Sequence, residues 1–215
     1  MKKIGFLLLF IGVLCFTNSK AQNTNAIFGD DVVWYGLDFS NAKFVGQFTN
    51  LGDNIGNMGY ELKNKFIPQW NMLILNEPKK YDIRKNFRKA NVYNQLDNVT
   101  VRNSKLDAEK LTTYNTYTFT NSQETIEKIV KEYDAVDKKE GLGLVFIVES
   151  FDKMANLASV YVTFFDIATK KVLLTEKFVE APVGVGVRNY WAGAIAKIFK
   201  QVGMYKMNEW KSKSK

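Results

Sequence analysis

Chemistry in this chain must rest on carboxylates, hydroxyls and amines, because its 215 residues include no histidine and a single cysteine, Cys15. Without histidine there is no Ser-His-Asp triad, no Cys-His pair, no imidazole base near neutrality and no His-bearing zinc site. Carboxylate acid–base catalysis, a serine–lysine pair, or a hard metal on oxygen ligands remain. The carboxylate candidates are Asp30, Asp31, Asp38, Glu149, Asp152 and Asp166. Glu149 and Asp152 close an apolar strand, the kind of edge where substrates meet a sheet. Asp166 stands in a hairpin turn, where aspartate bonds nearby backbone N–H groups. No spacing sets two of them at the separation a pair of catalytic acids needs. No Asp-rich loop has calcium-binding spacing either, so the expectation is no metal, no cofactor and no catalytic residue.

Two short motifs invite stronger readings. Ser40-Asn41-Ala42-Lys43 spells S-x-x-K, the nucleophile motif of penicillin-recognising enzymes, which needs its serine at a helix start with the lysine one turn later. Here the four residues follow a strand and run into extended sequence, so coincidence is the better account. Gly184-Val185-Gly186 precedes a helix, but a dinucleotide fingerprint would need glycine where Asn189 stands, and no Gly-Lys-Ser/Thr follows. Two glycines easing a strand-to-helix turn explain the pattern, and a small-anion site at that helix start stays open.

Positive charge is the remaining signal. The net charge is +8, and its excess is concentrated in two stretches. Residues 79–89 carry Lys79, Lys80, Arg84, Lys85, Arg88 and Lys89 against Asp82. The C-terminus carries Lys206, Lys211, Lys213 and Lys215 against Glu209. A helix over the first stretch would set Lys80, Arg84 and Arg88 on one face at four-residue spacing, with Lys85 and Lys89 beside it. These five residues form the candidate binding surface. Its alternative is a solvated face.

The compartment narrows the partner. Lys2 and Lys3 precede an apolar run of about 13 residues over 4–16, too short to span a bilayer and suited to a signal peptide. Ser19 and Ala21 supply the small residues of a cleavage site before Gln22. Leu14 and Phe16 flank Cys15 inside the run, which favours plain cleavage over lipidation. The expectation is a protein that is periplasmic, extracellular or held near the outer membrane, with no transmembrane segment after cleavage. Outside the cytoplasm nucleic acid is excluded as a partner, and an anionic envelope polymer, lipid head groups or an acidic protein face takes its place.

The elements that would position these residues follow from periodicity. Apolar residues make up 46% of the chain and aromatics 14%, enough for one cored domain. Residues 31–39 read as a first strand, with 42–48 extending or pairing with it. Ile55, Met58, Leu62, Phe66, Met72 and Leu75 form a helical stripe that Pro68 would kink or split. Residues 76–120 read as loops with one or two short strands, at 98–101 and 114–120, besides the basic helix. Asn121 and Glu124 cap a helix striped by Ile126, Ile129, Val130 and Tyr133. Residues 141–148 are apolar at nearly every position after the glycines, the mark of a central strand covered on both faces. Val145 and Ile147 would share one face, Phe146 and Val148 the other. Strands over 157–167 and 171–179 complete an antiparallel meander. Trp191, Ala194, Ile195, Ile198, Phe199 and Val202 then stripe a closing helix. The predicted organisation is a signal peptide at 1–21, a polar tether at 22–29, one globular domain at 30–205 and a Lys-rich tail at 206–215. The fold class is α/β, with a mixed sheet flanked by helices, a C-terminal antiparallel three-strand meander and a packed helix.

In the C-terminal third, the apolar strand leads to Val160-Tyr161-Val162-Thr163-Phe164-Phe165. Asp166-x-x-Thr169 follows at a hairpin, then Val172-Leu173-Leu174. A Gly-x-Gly approach to a helix bearing Ala192, Ala194 and Ala196 closes the unit. This pattern resembles the domain of the curli-secretion lipoproteins and of the lipoprotein activators of penicillin-binding proteins. The resemblance implies a mixed sheet packed with helices, at the envelope, acting by protein contact. Lys170 stands where that turn usually has glycine. The resulting expectation is an exported, non-catalytic envelope protein that binds a protein partner or an anionic envelope polymer. The alternative is a carboxylate-dependent hydrolase of cell-wall or glycan material.

Overall fold

The computed structural model describes residues 24–48, 58–134 and 137–214. The predicted signal peptide lies outside them. Among the described residues no helix is long and apolar enough to cross a membrane.

The sheet is organised around β5 (Leu142–Asp152), whose residues are buried at every position but the last. Leu144, Phe146 and Val148 face one core and Val145 and Ile147 the other, as the unbroken apolar run predicts for a strand covered on both sides. One edge of β5 is taken along its whole length by β6 (Leu157–Asp166), antiparallel, and β7 (Val172–Glu180) pairs β6 in turn. The other edge is shared. β1 (Asp31–Asp38) runs parallel to the first half of β5, up to Asp38 opposite Ile147. β2 (Lys43–Val45) runs parallel to the second half, from Lys43 opposite Ser150. The two therefore lie end to end, interrupted at residues 39–42. Beyond them, β3 (Asn91–Asn94) flanks β1 and β4 (Thr112–Thr113) flanks β2, both parallel. The architecture is mixed α/β, with five parallel strands continued by an antiparallel meander.

Helices cover both faces. On the first pack α2 (Ile67–Asn76) and α6 (Gly186–Gln201), through Trp70, Trp191 and Phe199. Trp191 stacks on Phe151 at 4.7 Å, and Phe199 meets Phe146 at 5.1 Å. On the second pack α4 (Asp97–Ser104), through Val99, and α5 (Ser122–Lys131), through Ile126, Ile129 and Val130. The Asn121 side chain caps α5 by accepting from the Glu124 N–H, as predicted.

Four expectations are corrected. Pro68 does not split its helix. α1 (Met58–Glu61) passes into α2 through a π-helical turn, Leu62–Phe66, where the Ile67 N–H reaches the Leu62 carbonyl. The wider turn comes just before the residue that cannot donate a hydrogen bond. Second, residues 98–101 lie in α4 rather than a strand, because burial of Val99 and Asn103 outweighs β-propensity; the short strands are β3 and β4, and 114–120 forms none. Third, the 22–29 tether is docked over its described part: Thr24–Phe28 is a 3₁₀ helix with Ile27 fully buried. Fourth, the Lys-rich tail is helical. A second π turn, Val202–Lys206, carries α6 into α7 (Met207–Lys213), where Met207 and Trp210 are buried.

Candidate functional site

Where β3 ends, opposite Trp34, the outer edge of β1 has no strand beside it until β4 begins. Buried backbone groups must nonetheless be paired. Two asparagines do it. Asn71 of α2 accepts from the Leu37 N–H at 2.7 Å and donates to its carbonyl at 3.0 Å. Asn103 of α4 accepts from the Phe39 N–H at 2.8 Å and donates to the same carbonyl at 3.0 Å. The approach is so close that a Cβ on Gly36, at φ +104°, would stand 2.5 Å from the Asn71 Oδ1. Helices from opposite faces thus meet at one strand end. β1 continues through residues 39–42 into β2, while β3, its neighbour, leads into α4, and a cleft lies between residues 40–43 and the end of α4.

Arg102, backed by Asp38, forms the floor of that cleft. Asp38 is fully buried, and its oxygens accept from the Ser40 N–H at 2.7 Å, the Tyr133 hydroxyl at 2.7 Å and Arg102 Nε at 3.0 Å. Arg102, 13% exposed, also gives one Nη2 bond to Ser40 Oγ at 2.7 Å and pairs through Nη1 with Glu132. Burial opposes the guanidinium's charge, but Asp38 and Glu132 more than restore it, so its pKa is raised. Burial, and then the charge of Asp38, pushes the Tyr133 phenol well above its ordinary range. Above this floor lies a cleft of about 460 Å³ lined by Ser40, Lys43, Arg102, Lys105, Lys110 and Tyr117, among others.

The S-x-x-K reading fails on geometry. Ser40 lies beside a cation rather than a base, and Lys43 spends its amine on the Lys110 carbonyl. A serine–lysine mechanism needs that amine unprotonated and aimed at the hydroxyl. The other carboxylates are equally committed. Glu149, buried where β5 bulges, accepts from Lys177 at 2.5 Å, the Phe119 N–H at 2.8 Å and Thr118 at 2.9 Å. Asp152 accepts from the Ala155 N–H at 2.8 Å, and Asp166 from the Thr169 N–H and hydroxyl at 2.7 Å each. Lys170 follows in the left-handed region, at φ 58°. Asp30 and Asp31 are exposed at the far end of β1. Among the described residues no group of three or more Asp, Glu, Cys or His is placed to hold a metal.

No family model matches this chain, nor does any curated protein or solved structure. Its chemistry has to be read from its own side chains.

The basic stretch is rearranged relative to its prediction. Its helix, α3 (Ile83–Phe87), has five residues, capped by Asp82 accepting from the Lys85 N–H at 2.9 Å. Lys80 precedes it, 3.8 Å from Glu77, and Arg88 ends it in the left-handed conformation at φ 53°. Lys80, Arg84 and Arg88 therefore share no helical face. Lys89 is removed from the surface altogether: it is 5% exposed and donates to the carbonyls of Ile27 and Gly29, at 2.6 Å each. Lys79, Lys80, Arg84, Lys85 and Arg88 stay exposed. The fold also fixes this basic stretch against the closing helix. α3 packs on the closing helix through Phe87 against Phe199 and Asn86 against Gly203, where a Cβ would stand 2.5 Å from the Asn86 amide oxygen. Exposed Lys200 lies one turn before that contact. Lys206 lies one turn after it and pairs with Glu176 at 2.5 Å. Arg102 is the residue sequence reasoning missed: it stands in an Asn/Thr-rich stretch with Lys105 three residues on and no recognisable motif around the pair.

Proposed function

We propose that this chain is an exported, non-catalytic protein of the cell envelope that binds an anionic polymer through the basic face built on α3. One observation supports the reading: Lys79, Lys80, Arg84, Lys85 and Arg88 all stay exposed on and beside α3, which the Asn86–Gly203 contact fixes against the closing helix. The one acid within residues 79–89, Asp82, is occupied as a helix cap, which leaves Arg84, Lys85 and Arg88 in excess. Such a surface attracts anions through a field that salt screens over about 8 Å at physiological strength. Export rests on the N-terminal apolar run and the small residues at 19 and 21. The likeness of the C-terminal third to envelope lipoproteins that act by contact points the same way, as does the commitment of Asp38 and Glu149 to cations of their own. The test is binding of the full chain to polygalacturonate and to polyphosphate, measured against salt. Reversing Arg84 and Arg88 to Glu should weaken both interactions, with circular dichroism unchanged, and affinity should fall as salt rises. Binding indifferent to the reversal and to salt would leave α3 a solvated face.

A further inference from the structure

The cleft at the end of β1 is a separate feature, with a construction that a merely packed surface does not need. Its guanidinium is held on two sides. Asp38, fully buried, grips Nε from below at 3.0 Å, and Ser40 Oγ takes one Nη2 proton at 2.7 Å. The third side is different. Nη1 meets Glu132, whose side chain is 59% exposed at the end of α5. An ion pair with so exposed a carboxylate contributes little, so exchanging it for another anion costs little. Lys105 follows Arg102 by three residues and also lines the cleft, and among the described residues its side-chain amine has no hydrogen-bond or ion-pair partner. Lys43 and Lys110, by contrast, are engaged with the Lys110 carbonyl and with Asp107.

We propose that this cleft binds a small organic anion whose carboxylate or phosphate replaces Glu132 on Nη1 of Arg102 and is also held by Lys105. A planar guanidinium fixed from behind suits a two-oxygen acceptor. The cleft volume of about 460 Å³ falls in the range of small-molecule sites. The C-terminal ends of α4 and α5 also reach this end of the sheet, and their partial negative charge is offset by the same cations, which favours one compact anionic group over several. Ser40 and Tyr117 at the rim offer hydroxyls to a polar body such as a sugar ring.

The test is thermal unfolding and calorimetric titration of the full chain with inorganic phosphate and with glucuronate, glucose serving as the neutral control. At tenfold excess over Kd a bound anion should raise Tm by about 3–6 °C. Lys105→Ala should weaken binding about tenfold, the loss of one charge-assisted contact. Glu132→Ala should tighten it several-fold, because the competing carboxylate is gone; weakening or no change there would overturn the exchange. Response to phosphate alone, to glucuronate alone or to both supports the site and tells a phosphate ester from a carboxylate. No response beyond that of glucose, or a response that both substitutions leave unaltered, overturns it. The Arg84/Arg88 reversal serves as a control that should leave this titration unchanged, so the cleft and the basic face stand or fall separately.

Discussion

Removing the guanidinium of Arg102 gives the sharpest test of how the end of β1 is held. In Arg102→Met the aliphatic stem is nearly preserved and the charge is lost. Asp38, fully buried, would keep its bonds from the Ser40 N–H and the Tyr133 hydroxyl but lose the one cation that pairs with it among the described residues. Breaking a buried pair by removing one partner typically costs about 3–5 kcal/mol, most of it the penalty on the charge left behind. The two surviving donors hold the estimate at the lower end, about 3 kcal/mol. Asp38→Asn in the wild-type background should cost about 1–3 kcal/mol, since Arg102 can still turn to Glu132 and solvent. In the double variant no unpaired charge remains, so the combined loss should fall short of the sum by at least about 1 kcal/mol. Urea denaturation of the four proteins supplies the numbers, and near-UV circular dichroism checks that the aromatic core is unchanged. Strict additivity would refute the reasoning, because it would mean that Asp38 and Arg102 are stabilised independently.

Two further expectations follow from other parts of the fold. Burial pushes the Lys89 amine down to about 8 from 10.5, so between those values the unfolded chain binds more protons than the folded one, and stability should rise with pH. Wild type should gain at most about 3 kcal/mol over Lys89→Met across that window; parallel stability curves for the two proteins would show that the amine is not desolvated. Trp210→Ala should cost about 3–5 kcal/mol, because the ring is buried against Phe164 at 5.8 Å and its N–H bonds Glu176 at 2.5 Å; a change under 1 kcal/mol in urea midpoints would restore the idea of a free Lys-rich tail.

What the sequence made legible was whatever a constant period or a local cap records. Residues 142–148 announced a two-faced strand, the alternation of 157–166 gave β6, and the Asn121–Glu124 pair marked the start of α5. The illegible parts each involve a break in period or a distant partner. In both long helices the buried positions take one five-residue step, from Leu62 to Ile67 and from Val202 to Met207. That step is the signature of a π turn, and a search at 3.6 residues loses the stripe there. Hence the periodicity of the closing helix stops short of α7. Lys89 reads as a surface charge until the carbonyls of Ile27 and Gly29, about sixty positions away, are seen to receive it. Arg102 belongs to the same class, because its meaning is supplied by Asp38, Ser40 and Glu132, none of which is near it in sequence.

The strand end at Leu37 and Phe39 also bears on strand addition between chains. A stretch of strand with unanswered backbone groups is a template on which another chain can add, and here one lies inside the sheet, between β3 and β4, rather than at its margin. Asn71 and Asn103 fill that gap with side-chain amides that imitate a neighbouring strand and cannot propagate one. Until α2 and α4 dock, however, the template is open. The interval before those helices arrive is therefore the moment at which intermolecular strand addition competes with folding, and the speed with which two asparagines reach β1 sets how long that competition lasts.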